Sequence, residues 1–88
     1  MLTLGFAPKF FRMLKKVEPS LQEETFKVLE LFKNRDNHRK LEVHKLHGSM
    51  SGKYAFSINH KDRIIFRFES KNLAIILAVD NHNIYKKR

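Results

Sequence analysis

The stretch KYAFSINHKDRIIFRFESKNLAIILAV, residues 53–79, decides the fold. In its first segment Tyr54, Phe56 and Ile58 alternate with Lys53, Ala55 and Ser57, the period of two that a strand with one buried face requires. Asn59-His60-Lys61 supplies a turn. Residues 62–68 then alternate again, with Ile64, Phe66 and Phe68 on one side and Arg63, Ile65 and Arg67 on the other. Ser70-Lys71-Asn72 turns the chain a second time, and Leu73 to Val79 is apolar on both faces, as in a central or well-covered strand. Short turns between such strands predict an antiparallel meander.

Upstream, Leu41, Val43 and Leu46 lead into a turn region, Gly48-Ser49-Met50-Ser51-Gly52, and residues 35–40 form a charged loop. Before that loop the period is helical. Leu21, Thr25, Val28, Leu29 and Phe32 share one face, with Phe26 and Leu31 on its margins. Ser20 and Glu23 have the capping-box spacing, so this helix is expected to run from Ser20 to near Asn34. An earlier helix is expected over Ala7 to Val17, where Ala7, Phe10, Phe11, Leu14 and Val17 oppose Lys9, Arg12, Lys15 and Lys16. Pro8 suits its first position and Glu18-Pro19 ends it. Residues 2–6 read as a short first strand, and residues 80–88 as a polar tail. The expectation is an α+β fold in one domain, residues 1–88. A strand is followed by a two-helix antiparallel hairpin and a three-stranded antiparallel meander, with the helices on one sheet face. The other face then carries Arg63 and Arg67, with Lys53 on the adjacent strand.

Composition narrows the function classes. The 88 residues are 42% hydrophobic, enough for one core and too few for two. Cysteine is absent, which excludes disulfides, thiol nucleophiles and zinc–thiolate sites. The longest apolar run is far too short to span a bilayer, and basic residues interrupt the only stretch resembling a secretory signal, so a cytoplasmic protein with no membrane partner is expected. Eighteen Lys and Arg against nine Asp and Glu give +9, with most of the excess after residue 34. A polyanion, nucleic acid or an acidic protein, is the natural partner of such a surface.

No phosphate loop, nucleophile elbow or carboxylate pair is present, so acid–base chemistry falls to histidine. His38, His47 and His60 read as solvated loop residues. His44 precedes the first meander strand and His82 follows the last, with Arg63 and Arg67 on the strand between them. That set suits RNA cleavage without metal. One imidazole takes the ribose 2′-OH proton, guanidinium stabilises the phosphorane, and a second group protonates the departing 5′-oxygen. Arg63 and Arg67 also read simply as a solvated cationic face, and His44-x-x-His47 as a metal pair that lacks a third ligand. Lys86-Lys87-Arg88 reads as a solvated tail or an RNA-steering one.

The pattern resembles the RelE/ParE superfamily of bacterial type II toxins over nearly the whole chain. The likeness is carried by Phe6-Ala7-Pro8-Lys9-Phe10-Phe11, by His44-Lys45-Leu46-His47-Gly48, by Gly52-Lys53-Tyr54-Ala55-Phe56-Ser57-Ile58, by Asp62-Arg63-Ile64-Ile65-Phe66-Arg67 and by Asp80-Asn81-His82-Asn83-Ile84-Tyr85. The resemblance implies an endoribonuclease, an mRNA interferase that needs no cofactor or metal and cuts mRNA on the ribosome, held inactive by a cognate antitoxin. By position it implies His44 and His82 in acid–base roles, Arg63 as the phosphate-stabilising group and Tyr85 as the aromatic that orients substrate. Lys53, Arg67, Lys45, Lys86 and Lys87 are the expected RNA and phosphate contacts. The YafQ-like branch has a His and an Asp in the first meander strand and its turn, where this chain has Ser57 and Lys61. A ParE-like gyrase poison, or a binding protein of the same fold without activity, is the alternative.

Overall fold

The computed structural model describes residues 1–81. His82, Tyr85, Lys86 and Lys87 lie outside the described residues. Strand β1 (Thr3–Phe6) is followed by helices α1 (Pro8–Leu14) and α2 (Pro19–Phe32), then β2 (His44–Lys45), β3 (Tyr54–Ser57), β4 (Asp62–Ser70) and β5 (Leu73–Asn81). The fold is α+β, and the sheet order is β1-β5-β4-β3-β2. The expected meander is β3-β4-β5, antiparallel throughout.

Two strands extend it. β1 pairs parallel with β5, from Thr3 opposite Leu73 to Phe6 opposite Ile76, so the sheet is mixed. The two-residue β2 lines the opposite flank, with His44 facing Ala55 and Lys45 facing Tyr54. Neither pairing follows from the periodicity of a segment so short.

The helices depart from expectation at their ends. α1 closes at Leu14, and the chain runs on through tighter turns in which Met13 and Leu14 carbonyls accept from Lys16 and Val17 N–H. In α2 the Ser20–Glu23 capping box does not form. Pro19 occupies the first turn, Glu18 is the N-cap without a side-chain bond, and Ser20 is already inside the helix. Proline has no N–H to satisfy and a φ preset for the helix, so it takes the first helical position and moves the N-cap two residues earlier, from Ser20 to Glu18.

The C-terminus of α2 is capped by the following loop. Asn37 Nδ2 donates to the Leu31 carbonyl and His38 Nε2 to that of Phe32. His38 also stacks on the Phe32 ring at 4.7 Å, so it is a half-buried helix stop rather than the solvated loop residue expected.

One core fills the space between helices and sheet. Phe10 and Leu14 from α1 and Val28, Leu29 and Phe32 from α2 pack on Phe56, Ile64, Phe66, Ala74 and Ile76. Tyr54 and Phe68 close its margin, so the strand aromatics face the helices as the alternation requires. Thr25, fully buried, returns its hydroxyl to the Leu21 carbonyl at 2.7 Å.

The turn before β3 depends on glycine. Gly48 has φ +67 and Gly52 φ +89, conformations that side chains resist. Gly52→Ala is expected to cost about 1 kcal/mol and lower the melting midpoint by about 4–8 °C, measured by thermal unfolding.

Candidate functional site

The face of the sheet opposite the helices presents side chains in rows. His44, Ala55, Ile65 and Ala78 form one row across β2, β3, β4 and β5; Ser57, Arg63 and Asp80 form the next. Paired residues share a face, so His44 and Arg63 lie on the same side, two strands and one row apart. That offset is about 10–12 Å between backbones, a span two long side chains can close around one phosphodiester.

The middle of this face is apolar rather than cationic. Ala55 and Ile65 are buried there. Leu77 stands beside them as a bulge residue on β5, where the register shifts between Ile65 and Phe66. A second shift, at Glu69 on β4, cancels the first.

Each arginine of the face is held by a carboxylate. Arg63 Nε donates to Asp80 Oδ2 at 2.8 Å, and both residues are half-buried. The bond uses one edge of the guanidinium and leaves both Nη groups without a hydrogen-bond partner among the described residues, a fixed fork of donors suited to phosphate oxygens. Arg67 pairs with Glu69 on the same strand face. It stands four residues from Arg63, about 13 Å along the strand, so the two guanidiniums do not meet at one point. Lys53 immediately precedes β3, and its carbonyl accepts from Leu46 N–H. Lys45 faces Tyr54 in the ladder and therefore leaves its strand on the side opposite His44. Of the expected contacts among the described residues, Lys45 is the one the pairing separates from the face.

The His44 imidazole has a defined proton. Its Nδ1 lies 2.7 Å from the Glu42 carbonyl oxygen. A carbonyl only accepts, so Nδ1 carries the hydrogen and, in the neutral ring, Nε2 carries the lone pair. Nε2 is thus the atom able to take a proton, on an exposed side chain. Glu42 itself sits at φ +60, the one non-glycine residue with positive φ among those described, a backbone that costs about 1–2 kcal/mol for an L side chain. Its carboxylate accepts the Ser57 hydroxyl at 2.9 Å. His47 and His60 are exposed in turns and join no cluster. Among the described residues no three His, Asp or Glu side chains converge to hold a metal ion.

Sequence reasoning missed Asp80 and Glu42 as members of the site. Asp80 was legible in principle. A two-residue turn at Lys71-Asn72 sets Ser70 against Leu73, and counting back along the ladder brings Asp80 opposite Arg63. Glu42 gave no signal, because a left-handed backbone is ordinarily marked by Gly or Asn.

No family model and no curated protein matches the chain. Solved structures do. The toxin–antitoxin complex RelBE2 from Mycobacterium tuberculosis contains a chain similar at TM-score 0.67 and 21% identity, covering 91% of this chain and 96% of that one. The YoeB-YefM complex from Staphylococcus aureus gives 0.70 and 20%, covering 93% and 98%. The archaeal RelE-RelB complex from Pyrococcus horikoshii gives 0.71 and 14%, covering 92% and 94%. The chain therefore has the RelE-like fold over nearly its full length.

Proposed function

We propose that this protein is the toxin of a type II toxin–antitoxin pair and cleaves mRNA by metal-independent acid–base chemistry. The observation that carries the reading is the His44 Nδ1–H bond to the Glu42 carbonyl, which leaves Nε2 basic on the same sheet face as Arg63. The fold supports it, since the similar chains are those of RelE and YoeB toxin–antitoxin complexes.

In this reading His44 Nε2 removes the 2′-OH proton and the 2′-oxygen attacks the adjacent phosphorus. Arg63 donates to the phosphorane oxygens, held at the required angle by Asp80. The P–O5′ bond breaks, and the leaving oxygen receives a proton from His82. Tyr85 orients the base beside the cut, and Arg67, Lys53, Lys86 and Lys87 hold flanking phosphates. The products are a 2′,3′-cyclic phosphate and a 5′-OH end. Asp80 and Glu69 beside the two face arginines offset part of their positive charge, so the face alone grips RNA weakly, and we infer that the ribosome presents the message. The partner that silences the toxin is an antitoxin with an acidic segment, matched to the +9 charge. The protein acts in the cytoplasm, where messages are translated; no helix among the described residues is long and apolar enough to cross a membrane.

Incubation with translating ribosomes, followed by mapping of both new ends, tests this directly. Cyclic phosphate and 5′-OH ends are expected, with naked mRNA cut far more slowly. A 5′-phosphate product, or intact messages with trapped gyrase–DNA breaks, would count against it.

A further inference from the structure

We propose that Glu42 is a positioning residue for His44, and that the Ser57 hydroxyl on β3 keeps it in place. The inference rests on the reading of His44 as the acid–base group and adds the device that sets its proton.

Glu42 makes two contacts of opposite kind. Its main-chain carbonyl accepts His44 Nδ1–H at 2.7 Å, and its side-chain Oε1 accepts the Ser57 hydroxyl at 2.9 Å. The first contact selects the tautomer of the ring. The second ties the residue to the strand that pairs with β4, in the same row as Arg63. The histidine and the guanidinium thereby share one reference frame.

The backbone around Glu42 is pinned from both sides. Its N–H donates to the Arg39 carbonyl, Val43 N–H donates to that of His38, and Ser57 N–H donates to that of Leu41 at 2.8 Å. A left-handed residue in such a loop would be glycine or asparagine if conformation were the only demand. A strained backbone persists where its surroundings over-determine it. Here a glutamate is kept at φ +60, with a side chain long enough to reach the next strand. The Val43 N–H bond to the His38 carbonyl orients the peptide plane that follows Glu42, and the carboxylate bond to Ser57 holds that loop against β3, so that the plane aims its carbonyl at the ring. Without the Ser57 bond the loop rotates more freely, and His44 relaxes toward the Nε2–H form that imidazole prefers in water, which turns the basic nitrogen away from the face.

The test uses the full chain labelled with 15N-histidine, as wild type and as Glu42→Ala, Glu42→Gln and Ser57→Ala. Ring-nitrogen shifts report the His44 tautomer, and single-turnover assays on ribosome-bound message report cleavage. Wild type should hold His44 in the Nδ1–H form. Glu42→Ala and Ser57→Ala should both move it toward Nε2–H and lower kcat about tenfold with KM unchanged. Glu42→Gln keeps an acceptor for Ser57 and should retain the wild-type tautomer and rate. Ser57→Ala leaves the loop sequence and the Glu42 side chain intact, so it decides the matter if Glu42→Ala fails to fold. An unchanged tautomer in Ser57→Ala, or a shift of equal size in Glu42→Gln, overturns the proposal. A shifted tautomer with unchanged cleavage leaves the positioning intact and removes His44 from the chemistry, so the two readings fail separately.

Discussion

Replacing Arg63 by alanine is expected to lower message cleavage by about 10²–10³-fold, the loss typical of removing one preorganised donor from a developing oxyanion. The argument is geometric. Arg63 stands on the sheet face of His44, half-buried, with Nε fixed to Asp80 at 2.8 Å and its remaining donors uncommitted among the described residues. In the proposed reaction no reorganisation is needed as charge builds on the phosphorane, which is why such a donor counts for more than an exposed lysine. Arg63→Lys should not restore activity, because a single ammonium cannot hold Asp80 and a phosphate in the same fork geometry. Asp80→Asn keeps an acceptor for Nε and should lose less than Arg63→Ala. Single-turnover rates on ribosome-bound message, with circular dichroism to verify folding, measure all three. An Arg63→Ala protein that cuts within a few fold of wild type would remove this residue from the mechanism.

Phe32→Ala is expected to cost about 3–5 kcal/mol, the usual range for truncating a fully buried phenylalanine. Small domains are stable by only about 5–15 kcal/mol, so the variant should be close to unfolding at 37 °C. Phe32 has no exposed surface and joins three elements. It stacks on Phe56 at 4.3 Å, meets Phe66 edge-on at 4.7 Å and carries His38 on its outer side at 4.7 Å. The deletion therefore opens a hole between helix and sheet and also loosens the stop of α2. Urea unfolding followed by circular dichroism reads the loss. A change under about 1 kcal/mol would mean the ring is not the anchor its contacts indicate.

The parts of the fold that could be read from the chain are those where burial writes a period. Phe56, Ile64 and Phe66 alternate with Ser57, Arg63 and Arg67 because one face of the sheet meets the helices and the other does not. The same logic finds the buried stripe of α2 at Val28, Leu29 and Phe32. What stayed hidden depends on partners distant in sequence. β1 carries no mark that it will lie parallel to β5, and two residues at His44–Lys45 are too few for any period to appear. The site divides the same way. His44 and Arg63 stand out by residue type, whereas the groups that orient them, Asp80 and the Glu42 carbonyl, are ordinary residues until register and backbone conformation are known.

The narrow flanks of the sheet carry a consequence for handling the protein. Four residues of β1 and two of β2 are all that the outermost strands contribute. A rim that brief exposes few unpaired amides, so it templates poorly for another chain's backbone. Concentrated preparations should resist growth into cross-β fibres, and thioflavin fluorescence should stay flat on prolonged incubation below the melting midpoint.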